Sequence, residues 1–282
     1  MIQASQGRAA VWFEALTGTK PEESAFPGRP GPVRSLAVAD APLLGRPARF
    51  LAVVPDPASR WPRARLGEVG LDEGWALAAA VREAVAADAH AGVKRAVVAV
   101  VDVPSQAYGH REELLGLHQA LAGAVDAYSA ARLAGHPVIA FVVGRAISGA
   151  FLAHGLQAHR IVALDDPDVM VQVMSKESAA RITHRTVAEL DAVARSVPAT
   201  AYDGATFATL GAVHRLVAVQ SADEPTPEDA RTVEAVLADA VTAALNGHGD
   251  LSDRLRAPGA ARRRAASVEV RRRLAATWHA RS

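Results

Sequence analysis

Two short runs constrain this chain more than any other feature: AVVAVVDV at 96–103 and PVIAFVVG at 137–144. Each is continuously apolar, too short for a buried helix and too rich in β-branched residues to favour one. Such runs suit strands covered on both faces, as in a parallel sheet. A shorter run, 160–164, follows. Helical patterns lie between them. One spans 72–91, with apolar or small residues at Trp75, Ala78, Val81, Val85 and Ala89, Asp72 as N-cap and Gly92 as C-cap. The next passes through Leu114, Leu117, Leu121, Val125 and Tyr128 and closes at Gly135. A third starts near Gly149, after the turn Arg145-Ala146-Ile147-Ser148. Strand, helix, strand, helix, strand is the sequence form of right-handed βαβ units on a mostly parallel sheet.

Outside this centre the signals are weaker. Residues 17–35, rich in Gly, Pro and charge, read as a surface loop, and strand-like material at 48–54 ends at Pro55-Asp56-Pro57. A second loop, rich in Pro and Arg, runs to about Gly70. Beyond Asp168 the chain reads as mainly helical, with one more apolar run at 212–219. The segment 226–246 is an amphipathic helix on Val233, Val236, Leu237, Ala240 and Leu245. We therefore expect a single α/β domain: an N-terminal extension and loop over 1–45, an α/β core over 46–220 and C-terminal helices over 221–282. No internal repeat has solenoid spacing.

Composition narrows the function classes. The 282 residues are 50% hydrophobic and 22% charged, with a net charge of +1, so bulk charge points to neither nucleic acid nor a membrane surface. The absence of cysteine excludes disulfides, thiolate metal sites and a cysteine nucleophile. The start Met1-Ile2-Gln3 lacks a secretory pattern, and no apolar run approaches the ~18 residues of a membrane span, so a cytoplasmic protein is expected. Of the 31 basic residues, three are lysines (Lys20, Lys94, Lys176) and 28 are arginines, a bias consistent with GC-rich coding. Between Arg254 and Arg281 nine arginines face one acid, Glu269. That tail reads as a solvated helix, or as a docking surface for an acidic carrier protein or a phosphate-bearing arm.

Two loops follow the buried runs, at the sheet edge where α/β proteins bind ligands. The first is Val103-Pro104-Ser105-Gln106-Ala107-Tyr108-Gly109-His110. The second, Gly144 to Ala150, runs straight into Phe151-Leu152-Ala153. A strand-to-helix turn with small residues exposes backbone N–H groups at the positive end of a helix. Such donors suit a developing oxyanion, and glycine lets the reacting group approach them. Close packing alone is an equally available reason for small residues there.

PVIAFVVGRAISGAFLAHG and VDVPSQAYGHREE resemble the paired motifs of crotonase-superfamily carboxyltransferase subunits. The closer resemblance, over nearly the whole chain, is to the malonate decarboxylase gamma subunit. It rests on GEVGLDEGWALA, VPSQAYGHREE, DAYSAARLAGHPVIA, SGAFLAHG and ALDDPDVMV, in that order. The resemblance implies a crotonase-like spiral of βαβ units with C-terminal helices. It implies a biotin-independent enzyme that decarboxylates malonyl-S-acyl carrier protein to acetyl-S-acyl carrier protein and CO2. The partners it implies are a beta subunit, the acyl carrier protein and an acyl-carrier transferase. It implies no cofactor on this chain; the substrate rides on the carrier's phosphoribosyl-dephospho-CoA group. By position, Ser148, Gly149 and Ala150 match the oxyanion-hole turn, and Gln106, Ala107, Tyr108 and Gly109 the facing loop. Tyr108 and His110 are candidate proton donors by location. Ser105, Tyr108 and Ile147 depart from the broader carboxyltransferase pattern and agree with the biotin-independent branch. An alpha-type subunit of a biotin-dependent acyl-CoA carboxyltransferase and a non-catalytic scaffold for the beta subunit are the alternatives.

Other residues carry less. GRAISGAFL also resembles the serine turn of the Clp protease, but Val173 stands where that family places its histidine, leaving His154, His159, His184 or Lys176 as bases. Lys176 reads as a surface lysine. His154 and His159 are wrongly spaced for one helical face, and no metal site is expected. Asp165, Asp166 and Asp168 around Pro167 read as a strand-ending turn.

Overall fold

A computed structural model describes residues 7–27, 31–247 and 249–279; Met1, Ile2, Gln3 and Arg281 lie outside them. Its eight strands are β1 (Ala25–Phe26), β2 (Val33–Leu43), β3 (Arg46–Val53), β4 (Ala96–Val103), β5 (Val138–Ile147), β6 (Arg160–Leu164), β7 (Met170–Gln172) and β8 (Val213–Val217). They form one sheet in the order β1-β2-β3-β4-β5-β6-β8, with β7 also on β5. Pairing is parallel from β3 through β8 and antiparallel in β1-β2-β3. The α/β, crotonase-like class expected from the sequence is the one observed. All eight residues of β4 are buried, as its unbroken apolar run requires.

Helices cover both faces. On one lie α1 (Arg8–Thr17) and, near the other end of the chain, α9 (Pro227–Leu245), which touch each other as well as the sheet. On the other lie α2 (Leu71–Ala87), α4 (Leu117–Leu133) and α5 (Ser148–Ala153), with α3 (His110–Leu114) before α4. Trp12 of α1 is fully buried, meets Phe141 of β5 edge-on at 5.3 Å, and donates its indole N–H to Ala222 O at 2.8 Å. After β7 come α6 (Lys176–Thr183), α7 (Val187–Ala194) and α8 (Gly204–Ala208), and α10 (Asp253–Arg256), α11 (Ala260–Arg263) and α12 (Ala265–His279) follow α9. Among the described residues no helix is long and apolar enough to cross a membrane.

Several expectations need correction. The 1–45 segment is not a mere extension and loop, because α1 and β2 lie in it and Trp12, Phe13, Leu36 and Ala37 join the core. The β2–β3 hairpin turns on Leu44 (φ 45°) and Gly45 (φ 84°), the two left-handed residues that a tight hairpin demands. Helix α2 is capped by Gly70, whose N–H is held at 2.8 Å by Glu73, and ends at Asp88; Asp72 instead pairs with Arg60. The helical pattern from Leu114 to Gly135 is broken at Gly116 (φ 86°), leaving Leu114 exposed. Strand β5 continues through Arg145 and Ile147, because β7 pairs with its last three residues.

Candidate functional site

At the carboxyl end of β5 the chain reverses on Ser148, whose φ of 65° is left-handed. For a non-glycine residue this costs about 1–2 kcal/mol, so the turn is held by its surroundings. Gly149 lies outside the left-handed region. Glycine leaves room there: a Cβ would sit 3.2 Å from Gln106 Oε1 and 3.3 Å from Leu121 Cδ1, so those side chains would have to give way. The two loops singled out in the sequence do meet, since Gly149 N–H donates to Gln106 Oε1 at 2.9 Å. The amide is therefore engaged by an internal carbonyl rather than open. Ala150, next in the turn, is fully buried.

The facing loop is anchored from below. Val69 N–H donates to Ser105 O at 3.1 Å and Ala107 N–H to Val69 O at 2.8 Å, which pins Gln106 between them. Ala107 is buried, whereas the Tyr108 ring is half-exposed under the Arg63 guanidinium, 4.1 Å from its centroid. Arg63 also pairs with Glu68, whose carboxyl is pushed up by burial. Gly109 caps α3, and His110 begins it in solvent. Of the facing loop, Gln106 is hydrogen-bonded to the turn; neither Tyr108 nor His110 makes a hydrogen bond to Ser148–Ala150.

A cavity of about 240 Å3 opens beside the turn. Ser148 and Gly149 line it with Phe151 and Leu152 of the same helix and with apolar side chains from distant segments, among them Val171, Ala201 and Phe207. The sequence gives no local signal for this meeting. Behind the turn, His154 at the end of α5 is fully buried. Its Nε2 is 3.1 Å from Val100 O, a contact that needs N–H there, and its Nδ1 takes the Tyr128 hydroxyl at 3.0 Å. This arrangement ties α5 to β4 and α4.

Burial depresses His154 from 6.5 to about 4, and burial with nearby Arg132 does the same to His159. The unfolded chain therefore takes up these protons first. Their stabilising contribution is present above about pH 6.5 and lost as pH falls towards 4. Urea midpoints should fall across that window, and His154→Gln should flatten the slope. Parallel curves for the two proteins would refute the assignment.

Among the described residues no hydrogen bond joins the Ser148 hydroxyl to a histidine or lysine. Both ring nitrogens of His154 are occupied, and Lys176, a surface lysine as expected, pairs with Asp191 at 2.9 Å. A serine hydrolase is disfavoured. The Asp165–Asp168 turn forms as expected, with Asp166 Oδ1 accepting from Asp168 N at 2.9 Å. It also has a role the sequence did not reveal, because Arg8 joins Asp166, Asp168 and Asp223 in ion pairs. Buried Asp102, also missed, accepts from Arg145 N at 2.9 Å and Arg8 N at 3.2 Å and fixes the path of β5 into the turn. Among the described residues no group of three or more His, Asp or Glu could hold a metal ion.

The chain is similar to one in a Pseudomonas malonate decarboxylase hetero-tetramer solved with coenzyme A. That chain is 56% identical, with 96% of this chain and 99% of that one covered and a TM-score of 0.87. It is similar also to a chain of the Pseudomonas MdcD-MdcE hetero-dimer, 53% identical over 98% of this chain and 100% of that one, with a TM-score of 0.85. A curated relative from Malonomonas rubra, named malonyl-S-ACP:biotin-protein carboxyltransferase, is 38% identical over 161 residues, 56% of this chain. The chain spans about half (55%) of that relative's length. The family model for the malonate decarboxylase gamma subunit matches residues 64–278, which takes in both loops, the turn and the helices behind them. The chain belongs to the malonate decarboxylase gamma-subunit family.

Proposed function

We propose that this chain acts with a beta subunit as a biotin-independent malonate decarboxylase, converting malonyl-S-acyl carrier protein to acetyl-S-acyl carrier protein and CO2. The observation that carries the reading is the Gly149 amide, set at a strand-to-helix turn and already holding a carbonyl oxygen. Gln106 Oε1 occupies the position that the thioester oxygen would take, and substrate displaces it. When the bond from Cα to the carboxylate breaks, CO2 leaves and the electron pair moves onto the thioester as an enolate. A donor that stabilises that oxygen lowers the barrier, because the charge is present only as the bond breaks. Cα then takes a proton, for which Tyr108 and His110 on the facing loop are the candidates this chain's sequence offers. Ser148, Gly149 and Ala150 supply backbone, and Gln106 to Gly109 the opposite wall. The carrier, its phosphoribosyl-dephospho-CoA arm, its transferase and a cytoplasmic setting belong to the same reading, as does the absence of a cofactor held by this chain.

The test is release of CO2 from malonyl thioester by the purified chain with its beta partner. Under this reading, avidin and bicarbonate leave the rate unchanged. The name of the Malonomonas relative favours a second reading, carboxyl transfer to a biotin protein. Avidin inhibition would select it.

A related expectation concerns Ser148. Its left-handed backbone, not its hydroxyl, shapes the turn, so Ser148→Ala should keep most of the turnover. A fluorophosphonate probe should leave the wild-type chain unlabelled. Stoichiometric labelling at Ser148 would restore the hydrolase.

A further inference from the structure

The ladder between β4 and β5 is interrupted just before the turn. Val101 faces Val142 and Val103 faces Ala146, so Asp102 alone on β4 lies opposite Val143, Gly144 and Arg145 on β5. Side chains satisfy backbone groups in this bulge. The Arg145 N–H donates to Asp102 Oδ1 at 2.9 Å, and the Arg145 Nε–H to the same oxygen at 3.2 Å. Arg8 Nη1 donates to Val143 O at 3.2 Å. The second carboxylate oxygen, Oδ2, accepts the Arg8 N–H at 3.2 Å, where Gly7 offers α1 no capping side chain. Two glycines wall the carboxylate in. A Cβ on Gly144 would sit 2.6 Å from Oδ1, and one on Gly7 3.3 Å from Oδ2.

This latch stands at the root of the two loops that meet at the site. Gln106 lies four residues beyond Asp102, and Gly149 four beyond Arg145. The bond from Gly149 N–H to Gln106 Oε1 closes a ring whose other closure is the bond from Arg145 N–H to Asp102. With connecting segments that short, moving one closure displaces the other. Arg145 to Ile147 also pair with Met170 to Gln172 of β7, and Val171 and Gln172 line the cavity beside Gly149. Ser148 follows at once in its left-handed conformation, a backbone state that persists only where its surroundings impose it. A donor moved by about 1 Å from the developing charge loses much of its effect, up to about 10² in rate.

We propose that Asp102 is a positioning residue for the reaction: its carboxylate, latched to Arg145 across the bulge, sets where the Gly149 amide stands. The latch is independent of the chemistry, whereas its effect on turnover rests on the decarboxylase reading. The competing role is purely structural, a long-range cap for α1.

The test uses the complex with the beta subunit and the variant Asp102→Asn, which keeps the shape but offers one acceptor oxygen where the carboxylate offers two. Turnover should fall about tenfold or more, with KM for malonyl thioester within about twofold of wild type. Deuterium uptake by the 146–151 peptide, which needs no turnover, should quicken about tenfold. Leu43→Ala, a core truncation in the β2–β3 hairpin, supplies the comparison for lost stability alone. Its turnover per folded molecule and its uptake at 146–151 should match wild type. Gly144→Ala, which keeps the carboxylate and crowds it from β5, should reproduce both defects of Asp102→Asn. Variants at Asp102 and Gly144 that melt early yet keep wild-type turnover and uptake overturn the proposal, as do losses no greater than those of Leu43→Ala. Failure of both variants to assemble with the beta subunit also overturns it, since Asp102 would then support the fold alone. If the wild-type complex releases no CO2 but uptake at 146–151 still quickens in both variants, the decarboxylase reading fails and the latch stands.

Discussion

Gly149→Val should lower turnover of the assembled enzyme about 10²–10³-fold, the loss expected when one oxyanion donor is removed, while the protein stays folded. Room at the amide decides this. The first added carbon already lies 3.2 Å from Gln106 Oε1 and 3.3 Å from Leu121 Cδ1, and the two methyl groups of valine extend further. The carboxamide of Gln106 is the end of a flexible side chain and can swing away, so the fold loses roughly 1 kcal/mol or little more. The amide, however, becomes walled off from any incoming oxygen. Because Gly149 lies outside the left-handed region, no backbone strain accompanies the change. Melting temperature and turnover measured on one preparation separate the cases. A variant that melts early and turns over normally would show that Gly149 serves packing alone.

The chain without its beta partner should show almost no decarboxylation, about 10³-fold or more below the complex, the scale set by loss of substrate positioning. The related Pseudomonas chain was solved in a hetero-dimer and in a hetero-tetramer. In this chain the surroundings of the cavity are unfinished. Leu152 and Val173 line it and are themselves half-exposed or more, and neither α6 nor α7, which follow it, contains a buried residue. Neither candidate proton donor is bonded to the turn. The measurement is CO2 release by each purified subunit and by the mixture. Full activity from this chain alone would refute the two-subunit site.

The parts of this fold legible in the sequence were those whose signal is local. The runs at 96–103 and 160–164 coincide with β4 and β6, and the 226–246 pattern with α9 and its cap Thr226, because burial on both faces or along one helical stripe leaves an unbroken trace. Helix α1 escaped because it has ten residues and Gly7 before it, with no capping side chain to announce it. Strand β2 escaped because its Pro and charged residues read as loop, while its pairing with β3 supplies the order. Strand β7 has three residues and exists by virtue of β5. At the site, motif order placed both loops correctly, but the hydrogen bond joining Gln106 to Gly149 spans 43 residues and depends on a side-chain rotamer. Phe207 and Leu210 reach the cavity from a separate helix region, and Arg8 reaches Asp223 across 215 residues. Contacts of that range leave no periodicity to read.

If the Gly149 amide receives the thioester oxygen as proposed, its hydrogen bond to Gln106 gives the site its own built-in competitor. Any ligand oxygen must displace an acceptor tethered within reach, at an effective concentration no free solute matches. Acetate, bicarbonate and water gain one hydrogen bond at the amide and must break one to obtain it. A long substrate held along its whole length meets the same competitor with binding free energy to spare. Under that proposal, selectivity for an anchored acyl group over small carboxylates follows from the closed resting state, and the apparent affinity of every ligand is scaled by the fraction of time Gln106 stands aside.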